Sequence, residues 1–537
     1  MGVIPAPLQI IPGQGQFNIR SGTPIAYVGD ALAPIVERFR AEVARRTGLT
    51  LVPARAAPAT DAPSLRIELA AAIDNDFDAL PRPTGVSPAG DALPDERYSL
   101  AIGAEGIVLR SVAAIGAARG LTTLLQLLAT TPKDAQGAIA LPVARILDVP
   151  RFAWRGLTLD LSRTFFTTHE IRRVIDLVAL YKLNVLHLHL TDDQAWRLEA
   201  GRPPTRRAGD DTFYSNAELR GLVSYAAERF VTLVPGIETP GHAAALLKLR
   251  PELDSGRNAP GLDVESDSRS NHRGAWLDPE GPATFALIDQ VLAEVAGIFP
   301  APFVHIGGDQ PFGMPEPAYL AYVQHVRERL GSLGKRPVGW QESIRGGADV
   351  RQVIQVSMSS DRFQASLPEE EGKGPLPSML SAAAAGTFGP SREDIEQALT
   401  HSVPVIVSPV SHACFDVPYA ERSANAAQEA LRARVGQRRY PARTVAEFFD
   451  WEPARVLGSS ARPEDMAGVG ATIWTETVAD FDDLTFLLLP RLAGFAHKSW
   501  SEPRANVWSE HRQSLALHRR LWAQDELTFF QTSTVEW

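Results

Sequence analysis

The sequence predicts an α/β protein: a (β/α)8 TIM barrel preceded by a small α+β domain. Three observations predict it. Eight apolar, strand-like runs follow residue 155, namely "GLTLDLS", "NVLHLHL", "FVTLVPGIE", "FVHIGGD", "RPVGWQ", "VIQVSM", "VPVIVSP" and "GATIWTE". Helical segments separate them, which is the pattern of parallel strands joined by crossover helices. No Gly-rich phosphate turn follows the first run, so an open doubly wound sheet is the weaker alternative.

The first part of the chain, to residue 148, reads as mixed α and β. "TPIAYVG" and "SLRIEL" are strand-like, and "APIVERFRAEVARRTG" is a helix that stops at Gly48. "YSLAIGAEGIVLRS" reads as a hairpin with Gly103 and Gly106 flanking its turn, and "AAIGAARGLTTLLQLLAT" as a second helix. Residues 149–537 then form the barrel and its C-terminal helices. In "TTHEIRRVIDLVALYKL", Thr167 and Glu170 make a capping box ahead of the stripe Ile171, Val174, Ile175 and Val178. Ser215 and Glu218 repeat the device ahead of Leu219, Leu222, Val223 and Ala226.

Composition bounds the function. The 537 residues are 45% hydrophobic and 22% charged, ordinary for a globular chain. A net charge of −10 and a pI near 5.7 argue against a nucleic-acid or anionic-membrane partner. Short Arg-rich stretches such as "GQRRY" are expected to be solvated loops. No apolar run approaches the roughly 20 residues that a membrane span needs, and the N-terminus shows no secretory signal pattern. The single cysteine, Cys414, excludes an internal disulfide framework.

In such a barrel the chemistry sits where strands end. The polar residues at those ends are Arg163, His187, His189, Asp192, Asp193, Glu238, His242, Asp309, Gln310, Trp340, Glu342, Asp416, Trp474 and Glu476. Any one of them alone is more often core or cap than site. Together, acids, an arginine and two tryptophans around one mouth suit a carbohydrate. Indole faces stack on sugar rings, while carboxylates and guanidinium bond hydroxyls. His187 and His189, two apart on one strand, also admit a metal pair. Later strand ends supply no lysine and few histidines for it, and a buried histidine bonded to a nearby acid is the more ordinary role.

The motifs "WRGLTLDLSRTFF", "NVLHLHLTDDQAWRLE", "YAAERFVTLVPGIETPGHAAA", "HIGGDQ", "VGWQES" and "GVGATIWTET" occur in one order along nearly the whole chain. In them the sequence resembles glycoside hydrolase family 20, the β-N-acetylhexosaminidases. The resemblance implies an exo-acting, retaining glycosidase that works on an oligosaccharide or glycoside without a metal or other cofactor. The substrate's own 2-acetamido oxygen attacks the anomeric carbon, an exception to the two-carboxylate scheme. It further implies that Asp309 orients the acetamido N–H and that residue 310 is the proton donor. Arg163 and Glu476 would bond outer hydroxyls, Trp340 and Trp474 would wall the pocket, and Asp193 and His242 would support it.

Three positions depart from the family. Residue 310 is Gln, which donates a hydrogen bond but no proton, so this chain is expected to be inactive or slow. Where the family has Tyr-Leu-Asp, "CFD" places Cys414 before Asp416, a weak thiol donor for a phenol. After the sixth strand, Met358 follows Ser357 where the family has Trp. One explanation is a Glu exchanged for Gln in an otherwise intact site. The other is a naturally remodelled site that acts on a different β-hexoside or binds sugar without cleaving it.

Overall fold

The computed structural model describes residues 2–54, 64–69, 80–203, 212–254, 256, 275–309, 313–357, 391–458, 461–504 and 507–537. The first unit is a seven-stranded sheet. Its strands are β1 (Gln9–Ile19), β2 (Pro24–Tyr27), β3 (Val52–Ala54), β4 (Ser64–Leu69), β5 (Tyr98–Gly103), β6 (Gly106–Ser111) and β7 (Ile139–Asp148). They lie in the order β1-β7-β5-β6-β4-β2-β3. The hairpin is as expected, with Gly103 opposite Gly106. The helices Ala33–Thr47 and Ala114–Thr130 share one apolar core with the sheet through Ile35, Phe39, Leu121 and Leu124. Gly48 ends the first helix with φ 66°, a left-handed cap in which its N–H bonds Ala44 O.

The barrel is closed by eight parallel strands, β8 (Trp154–Asp160), β9 (Val185–His189), β10 (Thr232–Thr239), β11 (Phe303–Gly307), β12 (Arg336–Trp340), β13 (Val353–Val356), β14 (Val405–Val407) and β15 (Met466–Ile473). β15 returns to pair with β8 from Gly468↔Trp154 to Ile473↔Leu159. Each expected strand is present, with ends shifted by a few residues. One inward residue per strand fills the lower barrel: Trp154, Val185, Val234, Phe303, Val338, Val353, Ile406 and Ala467. Trp154 and Phe303 meet edge to face at 5.1 Å. A polar layer follows, in which His187 stacks on His305 at 4.3 Å. The floor is thus a packed plug, and any ligand must sit above it.

Both capping boxes form, on the helices Thr168–Leu180 and Asn216–Ala227. The two units are joined by buried charge. Glu96 accepts from Arg119 and from Arg155, each at 2.7 Å, and Lys182 reaches Asp148 at 3.0 Å. No helix among the described residues is long and apolar enough to cross a membrane.

Candidate active site

β11 ends at Gly307 and Gly308 follows it, both left-handed with φ 65° and 77°. A Cβ on Gly307 would stand 2.0 Å from Glu238 Oε2 at the end of β10. The glycine is what lets two strand ends close on one another and turns Asp309 into the mouth. Gly307→Ala should therefore lose about 1–2 kcal/mol from the backbone alone and more from the displaced Glu238. Urea unfolding checks this, and an unchanged midpoint would show that the turn relaxes freely.

Asp309 heads a chain of alternating charge. Its Oδ2 lies 2.9 Å from His242 Nε2, and His242 Nδ1 lies 3.0 Å from Asp192 Oδ1. Asp192 Oδ2 is shared by Arg163 and His189 Nε2, both at 2.8 Å. His189 Nδ1 faces Glu238 Oε1 at 3.3 Å, and Trp340 Nε1–H donates to that same oxygen at 3.0 Å. Burial alone would discharge the histidines. Asp192 and Asp309 outweigh it and hold His242 well above its usual value, and Asp192 and Glu238 raise His189 to about 9. Burial likewise opposes ionised Asp309, yet the cationic His242 keeps its carboxyl below the ordinary range. Asp309 and His242 keep a quarter of their side chains open, 29% and 25%, against 4% or less for Arg163, Asp192, His189 and Glu238. Asp309 is therefore an ionised acceptor presented to the mouth by a rigid, buried relay.

Asp193 is set apart from this line. Its Oδ1 accepts from Ala244 N–H at 3.0 Å, and its Oδ2 stays 3.9 Å from His242. Burial raises it to about 6. His187 and His189 do not converge on a common point. Their rings are 6.4 Å apart at 74°, and His187 Nδ1 pairs with Thr158. His189 has the ordinary role, a buried histidine bonded to neighbouring acids.

Trp340 and Trp474 meet at 5.8 Å and 51°, two walls of one corner, with Arg163 lying 5.3 Å over the Trp474 ring. Next to Trp474 are Asp416, whose Oδ1 accepts from the Trp474 N–H at 3.4 Å, and Glu476, two residues further along the chain. Asp416 Oδ2 and Glu476 Oε2 are buried with no hydrogen-bond partner among the described residues. Burial, then the charge of Glu476, raises Asp416 to about 7. Cys414 donates its S–H to Asp416 Oδ1 at 2.8 Å, and burial pushes the thiol well up, so it is neither a nucleophile nor a free donor to a ligand. Glu342 is buried beside Asp309 and raised to about 8, first by burial and then by that charge.

The "GQRRY" stretch is a turn that leaves Arg438 and Arg439 exposed, as expected, but its backbone is tied to the barrel mouth. Gln437 N–H donates to Asp416 O at 2.7 Å, and Gly436 N–H to Thr477 Oγ1 at 2.9 Å. Gly436 has φ 96°, and a Cβ there would press on Pro418 at 3.0 Å. So pinned, the turn brings Arg439 to 3.6 Å from Glu476 with about half of its side chain exposed. The pattern of adjacent arginines hid this, because the pinning bonds come from residues about 20 and 40 positions away. The structure thus brings together Arg163, Asp192, Asp193, His242, Asp309, Trp340, Asp416, Trp474 and Glu476, and adds Arg439. Gln310 and Met358 lie outside the described residues.

A closed eight-stranded barrel whose mouth holds a presented aspartate, two indole walls and two carboxylates with unsatisfied oxygens defines a glycosidase of the (β/α)8 class. Family comparisons narrow it. The model "Glycosyl hydrolase family 20, catalytic domain" matches residues 152–314 and 313–503, and "Glycosyl hydrolase family 20, domain 2" matches residues 1–149. The chain belongs to glycosyl hydrolase family 20. It is 31% identical to a β-N-acetylhexosaminidase of Cellulomonas fimi over 84% of this chain and 82% of that one. The structure resembles the family 20 β-N-acetylhexosaminidase of Streptomyces coelicolor A3(2), with TM-score 0.79, 27% identity, and 100% and 98% of the two chains covered. Streptomyces plicatus N-acetyl-β-hexosaminidase, solved in complex with thio-NAglucal, gives TM-score 0.78 and 27% identity over 100% and 97%.

Proposed function

We propose that the chain is built as an exo-acting, retaining β-N-acetylhexosaminidase that uses the 2-acetamido group of its substrate as the nucleophile. The observation that carries this is Asp309. It is the open end of an otherwise buried charge relay, held ionised by His242, and it stands beside the Trp340–Trp474 corner. An ionised carboxylate there accepts the acetamido N–H, fixes the amide and increases the negative charge on its oxygen. That oxygen attacks the anomeric carbon, an oxazolinium ring forms, and water later opens it from the face the aglycone left. The leaving oxygen needs a proton, and the side chain at position 310 is an amide.

In this reading Trp340 and Trp474 hold the sugar faces. Arg163, Asp416 and Glu476 take its outer hydroxyls, and hydroxyl donors complete Asp416 Oδ2 and Glu476 Oε2. His242 positions Asp309, and Asp193 braces the turn at Ala244. Cys414, spent on Asp416, leaves the acetamido pocket without the family's phenol, and Met358 is its other altered position. Residues 149–537 form the catalytic unit and 1–148 the separate α+β unit. A Gln310→Glu enzyme should be inhibited by a thiazoline analogue of the oxazolinium. Equal cleavage of an aryl β-glucoside that lacks the 2-acetamido group would sink the substrate-assisted reading.

Arg439 fixes Glu476 at the hydroxyl end of the sugar. A half-exposed pair of this kind contributes about 1 kcal/mol at most. Arg439→Met should therefore raise KM of the same enzyme roughly three- to fivefold with kcat little changed, the mark of binding lost equally from ground and transition states. A fall in kcat instead would place Arg439 nearer the reacting centre.

A further inference from the structure

A second cleft, of about 440 Å³, runs between the sheet domain and the barrel. That is large enough for a small organic molecule. Its walls are the helices Ala33–Thr47, Ala114–Thr130 and Thr168–Leu180, with the turn at Asp525–Leu527. Phe39, Leu121, Leu125 and Leu177 line it with apolar surface. None of the residues at the barrel mouth takes part.

The charges along these walls do not balance. Six arginines face four carboxylates among the described lining residues, in a chain whose net charge is −10. Glu42 and Asp525 are each taken by Arg45 and Arg46, at 2.6–3.0 Å. Asp176 is taken by Arg229, and Arg119 is matched by Glu96 outside the cleft. The fourth carboxylate, Glu526, belongs to an exposed residue.

Arg38 and Arg173 are left. Neither makes an ion pair among the described residues. Arg38 Nη1 donates to the carbonyl of Glu228, and Arg173 Nη2 donates to the carbonyls of Asp525 at 2.6 Å and Glu526 at 3.0 Å. A guanidinium carries five N–H donors in a planar fork that matches the oxygens of carboxylate, sulfate or phosphate. Burial and the neighbouring Arg229 lower Arg38 from its ordinary value and outweigh the opposing charges of Glu228 and Asp176, so a further anion beside it is favoured.

We infer that this interdomain cleft binds a small organic anion, with its acidic group on Arg38 and Arg173 and its apolar body against Phe39, Leu121 and Leu125. Calorimetric titration of the full chain with naphthalene-2-sulfonate tests it. The expected result is 1:1 binding that weakens at least tenfold in Arg38→Met and in Arg173→Met. Replacing the sulfonate by an uncharged hydroxymethyl group should weaken it as much, and inorganic sulfate alone should bind at least tenfold more weakly. Thr122→Phe, which keeps both guanidiniums and fills the cleft from a half-buried lining position, should abolish binding even if a methionine variant fails to fold. The inference is overturned if the sulfonate does not saturate, if the variants bind like the parent, or if sulfate or the alcohol binds as tightly.

Discussion

Restoring a carboxyl at position 310, by Gln310→Glu, should raise kcat for an aryl N-acetyl-β-glucosaminide by about 10²–10⁴-fold, the usual contribution of a positioned general acid. The surroundings favour that acid. Asp309, its neighbour in sequence, is held ionised by His242, and a carboxyl introduced beside a fixed negative charge keeps its proton to higher pH. The buried Glu342, raised to about 8 first by burial and then by the same charge, shows the direction of that effect at this end of the barrel. The restored enzyme should lose activity as the pH rises through the value of the new acid, whereas the parent should show no such limb. KM should change little, because amide and carboxyl are nearly the same shape and either can donate a hydrogen bond to the glycosidic oxygen. Both explanations of Gln310 meet in this measurement. A jump in kcat marks an intact site with one group exchanged. A variant that stays inert toward every aryl β-glycoside would mean that the mouth is remodelled beyond residue 310, and Cys414 would then be the next position to change.

The barrel was legible because its physics is local. Eight apolar runs, two capping boxes and the glycines closing β11 announce themselves within a dozen residues each, and all were found in place. The N-terminal sheet was less legible. β1 and β7 were not recognised as strands, because Pro12, Gly13 and Gly15 interrupt the first and Pro142 the second; both prolines are accommodated where the two strands pair irregularly around a bulge. At the site, residue types were legible and pairings were not. "TDD" supplies two adjacent acids, and the resemblance singles out Asp193. In the fold Asp192 takes Arg163, His189 and His242, while Asp193 turns to the backbone of Ala244. Neighbouring residues point in different directions, and only the tertiary position of His242 decides which one it meets. Arg439 was hidden for the same reason, since nothing within its own segment distinguishes a pinned turn from a solvated one.

Asp192→Ala should have the largest effect on stability, about 3–5 kcal/mol, the range for removing one partner from a buried charge cluster. Arg163, His189 and His242 converge on this carboxylate. Without it three cationic groups face one another with only Asp160, Glu238 and Asp309 to offset them, and Asp309 loses the relay that fixes His242 against it. The pH dependence separates this cause from mere loss of packing. Asp192 is held well below its ordinary value, by Arg163 and His242 against the opposing effect of burial. Its contribution is present above the unfolded value of about 3.9 and is lost as the pH falls toward its folded value. His189 works in the opposite sense: raised to about 9, it contributes fully below its unfolded value near 6.5 and loses that contribution as the pH rises through 9. The stability gap between parent and variant, read from urea unfolding followed by tryptophan fluorescence, should therefore be widest at roughly pH 5–6.5 and shrink on both sides. A gap of the same size at every pH would assign the loss to a cavity, and a gap below about 1 kcal/mol would mean that solvent, rather than Asp192, balances these cations.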